Sequence, residues 1–86
     1  RYPDEGDLVN AYHALELLAG ETETSTAEEI HARSPLAKTR MQVCLALFAN
    51  RGIVRSEPGR RYRLLKKGLT REELARAGQS YRERQE

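Results

Sequence analysis

The stretch SPLAKTRMQVCLALFANRGIVRSEPGRRYRLLKK, residues 34–67, decides the fold of this chain. Its first half places apolar residues at helical spacing and ends at Gly52, a residue type typical of the position just past a helix. Its second half has a short β-prone run, the turn Glu57-Pro58-Gly59-Arg60 and the alternating run Arg61–Leu64. The stretch therefore predicts a helix followed directly by a two-stranded hairpin.

Charge is strongly segregated along the sequence. Residues 33–67 carry ten basic side chains against one acid, Glu57, for a net charge of +9, whereas residues 1–32 have a net charge of −7 and residues 68–86 are neutral. Such asymmetry concentrates positive potential on one face and suits a polyanionic partner. The alternative is a solvated surface on which basic residues cluster by chance.

Two helices are predicted before this stretch. The first starts after Asp4, whose carboxylate can cap it, and stops at Gly20, where we expect the left-handed conformation. The second covers about residues 26–32 and buries mainly Ala27 and Ile30. It begins at one of two overlapping capping boxes, formed by Ser25 with Glu28 or by Thr26 with Glu29.

The third helix should begin at Ser34-Pro35, with serine as the N-cap and proline at the first helical position. Its buried stripe is predicted at Leu36, Met41, Val43, Cys44 and Leu47. In the hairpin, Tyr62 and Leu64 should face the core while Arg61 and Arg63 point outward. A last helix over about 71–84 follows the capping box of Thr70 and Glu73, and its apolar stripe ends at Tyr81.

These elements predict a mainly α protein with a small β-hairpin, in the order α-α-α-β-β-α. We assign residues 1–69 to the domain itself and residues 70–86 to a C-terminal helix that packs at its start and then leads to a following domain. The chain begins without methionine, and we expect it to be one domain of a longer protein.

Catalysis is not expected from this chain. Its 86 residues supply apolar side chains for one small core, and a large enclosed substrate pocket would need a larger domain. The two histidines and Cys44 fall on three different elements, without the spacing of a metal site, and Cys44 is predicted to be a small buried hydrophobe. We therefore predict a non-enzymatic domain with no catalytic residue, no metal and no cofactor.

The candidate binding residues lie on the third helix, on the hairpin and just after it. Helix residues near the N-terminus can reach base edges or phosphates, and arginines on a hairpin can follow a nucleic-acid backbone. Basic contacts dominate, which favours recognition of shape and backbone over strict sequence reading. The candidates are Lys38, Thr39, Arg40, Gln42, Arg55, Arg60, Arg61, Arg63, Lys66 and Lys67.

A helix leading into a basic hairpin resembles the recognition helix and wing of winged-helix domains. More narrowly, RRYRLLKKGLTREELARAGQSYRERQE and YPDEGDLVNAYHALELL resemble the region that follows the motor in bacterial RecQ-like ATP-dependent DNA helicases. The resemblance implies an accessory domain that binds duplex or branched DNA, monomeric as a fragment, in a parent protein of the bacterial cytoplasm and nucleoid that acts in DNA repair and recombination. It also implies a strand-separating wing with an aromatic tip, which the turn at 57–60 lacks. The ATPase motifs would lie outside this chain.

Two other functions remain open at this stage. One is a transcriptional regulator in which helix three reads an operator and the last helix dimerises; the loss of the apolar stripe after Tyr81 favours a connector instead. The other is a protein-interaction domain with a coincidental basic face. No apolar run reaches the ~20 residues of a membrane span, and no signal peptide is evident, so we expect a soluble intracellular protein without a membrane partner.

Overall fold

The computed structural model describes residues 3–85. It contains four helices and three short strands in this part of the chain, which confirms a mainly helical fold with a small β-hairpin. Arg1, Tyr2 and Glu86, at the outer ends of the two predicted ranges, lie outside the described residues. In chain order the elements are α1 Glu5–Ala19, β1 Ser25–Thr26, α2 Ala27–Ala32, α3 Lys38–Asn50, β2 Val54–Glu57, β3 Arg61–Leu64 and α4 Arg71–Gln85.

The three strands form one antiparallel sheet in the order β1-β3-β2. The hairpin of β2 and β3 pairs Arg55 with Arg63 and Glu57 with Arg61. Strand β1 was not predicted from the sequence; it pairs with the other edge of β3, where Ser25 lies opposite Tyr62. The sheet thereby ties the start of α2 to the hairpin.

Side-chain caps fix three of the helix starts where the sequence predicted them. The Asp4 carboxylate accepts the Asp7 amide at 2.8 Å. Of the two possible boxes before α2, the structure contains the one formed by Thr26 and Glu29. Thr70 and Glu73 form the same reciprocal pair at α4. Such caps each contribute about 1 kcal/mol to stability.

One predicted helix start is wrong, and one helix end is predicted at the right residue but with the wrong conformation. Helix α3 begins at Lys38 rather than at Pro35, because the Ser34 hydroxyl accepts the Leu36 amide at 3.2 Å and closes a separate turn before the helix. Helix α1 does stop at Gly20, but Gly20 has a right-handed φ of −75°, and the amides of Glu21 and Thr22 close the helix end by donating to the Leu18 carbonyl.

Helices α1 and α3 form the centre of the core, on which α2, the hairpin and α4 pack. Tyr12 and Phe48 meet edge to face with ring centroids 6.2 Å apart. Cys44 is fully buried, as predicted, and burial raises the pKa of its thiol to about 12. The predicted stripe of α3 is confirmed except for Val43, which is half-buried; Leu45 and Phe48 are additional buried residues.

Helix α4 lies against α1 through its first three turns. Leu74 is buried, and Ala77 and Tyr81 are partly buried against the core. At Gly78 the two helices approach so closely that a Cβ atom would lie 2.7 Å from Cδ1 of Leu8. The apolar face of α4 is therefore used within the domain.

Candidate nucleic-acid interface

The exposed face of α3 gathers three of the four predicted helix residues. At about 100° of rotation per residue, Lys38 and Gln42 lie in one row and Thr39 in the neighbouring row, all exposed to solvent. The same exposed arc continues through Ala46 and Asn50, which the sequence reasoning missed. The small side chain of Ala46 would let a partner approach the backbone of α3 closely at this position.

Arg40 lies on a different side of α3. It is about 200° around the helix from Lys38, and its Nη1 atom is 3.5 Å from Oδ1 of Asp7 on α1. The Asp7 side chain is only 12% exposed, so Arg40 partly covers a carboxylate that would otherwise stand alone near the core. The structure thus separates Arg40 from Lys38, Thr39 and Gln42.

In the hairpin, one carboxylate holds two of the predicted arginines. Arg55 and Arg63 are directly opposite each other in the sheet. Glu57 accepts from Nη2 of Arg55 at 2.8 Å and from Nε of Arg63 at 2.7 Å. The hydrogen bonds from Arg63 and then Arg55 lower the pKa of Glu57 to about 2. The cluster keeps a net charge of +1 and presents two guanidinium groups in fixed positions.

Arg61 is turned back toward the sheet edge. Its Nε donates to Thr24 Oγ1 at 2.7 Å, its Nη2 donates to the Thr24 carbonyl at 2.9 Å, and Glu29 lies 3.6 Å away. These contacts fasten β3 to the segment before β1. Tyr62 and Leu64, by contrast, pack against the core as the alternation predicted.

The hairpin turn projects a cation from a left-handed backbone. Gly59 has φ +82°, the value that a type II turn requires at its third position, and Arg60 follows with φ +58°, which is uncommon for a residue with a side chain. Arg60 is exposed. Arg60 has no ion pair within residues 3–85. The other cations without one in this range are Lys38, Arg51, Lys66, Lys67, Arg76 and Arg84.

In the segment after β3, hydrogen bonds hold the backbone in place while the lysine side chains are exposed to solvent. Ile53 accepts from the amides of Leu65 and Lys66, and Glu16 accepts from the Gly68 amide at 2.9 Å. Lys66 and Lys67 are both exposed. The two lysines therefore extend from a main chain that hydrogen bonds hold in place.

Among residues 3–85, no group of three or more His, Cys, Asp or Glu side chains is arranged to hold a metal ion. No helix in the described part of the chain is long and apolar enough to cross a membrane. Comparison of the sequence and the structure with family models, curated proteins and solved structures found no match in any of the three.

Proposed function

We propose that this chain is a winged-helix DNA-binding domain, non-catalytic by itself, that serves as an accessory domain of a RecQ-like DNA helicase. In this proposal α3 is the recognition helix, and the hairpin of β2 and β3 is the wing. The order α1-β1-α2-α3-β2-β3-α4 with a β1-β3-β2 sheet supports this assignment, since it puts a helix–turn–helix unit beside a hairpin.

The observation that carries the proposal is the position of the unpaired cations. Lys38 on α3, Arg60 at the hairpin turn, and Lys66 and Lys67 after β3 are exposed and lack carboxylate partners among residues 3–85. A protein holding four phosphates through such groups should lose affinity with salt at a slope of about −4 in log K against log[salt].

In this proposal the wing binds the DNA backbone and does not separate the strands. Its turn, Glu57-Pro58-Gly59-Arg60, has no aromatic side chain to stack on a base pair. The nearest aromatic residue in the hairpin, Tyr62, packs against the core. A basic wing of this kind favours duplex DNA or the duplex arm of a branched substrate.

The helicase version of the proposal is favoured over a dimeric regulator by the packing of α4. Leu74, Ala77 and Tyr81 face the core of the same chain, and the rest of α4 beyond Tyr81 is polar. Little apolar surface of α4 is left for a dimer. This supports the connector role that the resemblance implies.

Fluorescence anisotropy with labelled duplex, forked and single-stranded DNA at two salt concentrations tests the function. Lys38→Gln with Arg60→Gln should weaken duplex binding and make the salt slope shallower by about 2. Arg84→Gln is the matched control, because Arg84 is an exposed arginine near the end of α4. No binding at low salt, or equal loss in the control, would refute DNA binding; equal affinity for duplex and fork would argue against the helicase assignment.

A further inference from the structure

A second basic site lies away from the exposed face of α3, between the end of α3, the segment after β3 and α4. It is a wide, open cleft of about 350 Å³. Three cations and one carboxylate line it, which gives a net charge of +2. The lining residues are Arg51, Ile53, Lys66, Leu69, Glu73, Arg76, Ala77 and Ser80.

One guanidinium nitrogen of Arg51, a residue that lines the cleft, lacks a hydrogen-bond partner. Its Nη1 atom is buried and has no hydrogen-bond acceptor, the single such side-chain atom among the described residues. A buried charged donor without an acceptor is costly, and native structures rarely leave one unsatisfied. Because this atom has almost no exposed surface, an oxyanion in the cleft would reach it only after the guanidinium turns toward the opening.

The backbone around the cleft is held in place before any ligand binds. The amides of Arg51, Gly52 and Ile53 donate to Leu47, Ala49 and Phe48 at the end of α3. The Tyr12 hydroxyl lies between the Lys66 carbonyl and the Leu69 amide, at 2.6 Å and 3.1 Å. The two walls that carry Arg51 and Lys66 are therefore fixed relative to each other.

Helix α4 supplies the third wall through one of its faces. Glu73, Arg76, Ala77 and Ser80 follow each other at spacings of three, one and three, which brings them to the same side of the helix. Glu73 Oε1 is already occupied by the Thr70 amide. Arg76 and the Ser80 hydroxyl remain as donors beside Arg51.

We propose that this cleft binds a phosphate group, carried either by a small phosphorylated molecule or by a nucleic-acid strand. Arg51 and Arg76 supply planar donors that match phosphate oxygens, Lys66 adds a third positive charge, and Ser80 adds a hydroxyl. Arg51 is thirteen residues from Lys38 along α3, about 20 Å at 1.5 Å per residue. The cleft is thus distant from Lys38, and of the four cations assigned to the DNA interface only Lys66 also lines it.

The test is a titration of the ¹⁵N-labelled chain with inorganic phosphate, with chloride at equal ionic strength as the reference. The Nε–H signal of Arg51 and the amides of Ile53 and Lys66 should shift to saturation. Arg76→Gln should weaken phosphate binding about tenfold or more, because charge-assisted hydrogen bonds are lost. Arg84→Gln, near the end of α4 and outside the cleft, should leave it unchanged. Arg76 is exposed, so its replacement preserves the fold.

Arg51→Gln separates a ligand role from a purely structural one, since a cation at the end of a helix also favours the helix dipole. Loss of phosphate binding with an unchanged spectrum elsewhere supports the site. Absence of saturable shifts, equal shifts at Arg84, or retained binding in both Arg51→Gln and Arg76→Gln overturns it.

Competition then identifies the source of the phosphate group. Displacement of phosphate from the cleft by single-stranded or duplex oligonucleotides supports a nucleic-acid strand as the ligand. Phosphate binding that oligonucleotides do not affect supports a small phosphorylated molecule. Failure of DNA binding at Lys38 and Arg60 would leave either result intact, so the two proposals are tested separately.

Discussion

The hydroxyl of Tyr12 donates a hydrogen bond of 2.6 Å to the backbone carbonyl of Lys66, 54 positions further along the chain. The same oxygen accepts the Leu69 amide at 3.1 Å. One buried side chain of α1 thus fixes the segment that leaves the hairpin and enters α4. Burial, above all, raises the pKa of this hydroxyl, so it stays protonated and able to donate.

Tyr12→Phe should lower the free energy of unfolding by about 2 kcal/mol, because it removes two part-buried hydrogen bonds that each contribute about 1 kcal/mol. Urea denaturation followed by circular dichroism measures this change. Tyr62→Phe is the control: Tyr62 is half-buried, its hydroxyl has no partner within residues 3–85, and the change should stay within about 0.5 kcal/mol. Equal effects of the two substitutions would contradict the assigned role of Tyr12.

Glu57→Gln should strengthen binding to duplex DNA at neutral pH. The substitution removes the carboxylate that neutralises part of the Arg55 and Arg63 pair and frees both guanidinium groups for phosphates. The salt slope should become steeper by about 1 for one added phosphate contact. Anisotropy titrations of the two proteins at several salt concentrations measure it. Unchanged affinity would mean that this face of the hairpin does not contact DNA.

The same carboxylate should make stability depend on acid pH. The pKa of Glu57 is lowered from 4.5 to about 2, so its contribution is fully present above about pH 4.5 and is lost as the pH falls toward 2. The melting temperature of Glu57→Gln should therefore fall less over this interval than that of the parent protein. Glu28→Gln, an exposed glutamate outside the ion pairs of the described residues, should keep the parent's acid dependence.

Arg60 and Arg61 are neighbours in sequence, and their substitution should have different effects. Arg61→Gln removes two hydrogen bonds to Thr24 and should cost about 1 kcal/mol of stability. Arg60→Gln should leave stability nearly unchanged but make the salt slope of DNA binding shallower by about 1. Thermal denaturation and anisotropy titration on both variants check the contrast. The opposite assignment of effects would show that Arg61 is the DNA contact.

Gly78→Ala should destabilise the protein although alanine favours helices by about 1 kcal/mol. The added Cβ would lie 2.7 Å from Cδ1 of Leu8, which is buried and has little room to move. In a Leu8→Ala background the clash is gone, and Gly78→Ala should become stabilising by up to about 1 kcal/mol. Denaturant unfolding of the four proteins in this cycle measures the coupling. A neutral effect in both backgrounds would show that the contact relaxes freely.

Local signals carried much of the fold prediction. The caps at Asp4, Thr26 and Thr70 each involve residues three positions apart, so the sequence displays them directly. The hairpin was predictable because its turn chemistry and its alternation agree. Ser34 misled the prediction of α3 since a serine can cap a helix or close a turn with the same hydroxyl.

Long-range partners account for what the sequence did not reveal about the site. Arg40, Arg61 and Arg63 were indistinguishable in sequence, and only the fold places Asp7, Thr24 and Glu57 beside them. The sequence indicated only that Arg51 lies at the end of α3. Its place in the cleft depends on Arg76 of α4, which follows 25 positions later. Alternate residues of a strand lie on the same face, so the sequence did contain a signal for the ion pair between Arg55 and Glu57.

The two edges of β3 should form their strand pairs at different times during folding, because one partner is β2 and the other is the two-residue strand β1. The β2–β3 hairpin joins residues close in sequence, whereas Ser25 must meet Tyr62 across 37 positions. Closing such a long loop costs conformational entropy that a short hairpin does not incur. We therefore expect the hairpin to assemble early and its second edge to be completed late, after α2 and α3 have packed, so that the edge facing β1 stays open during folding.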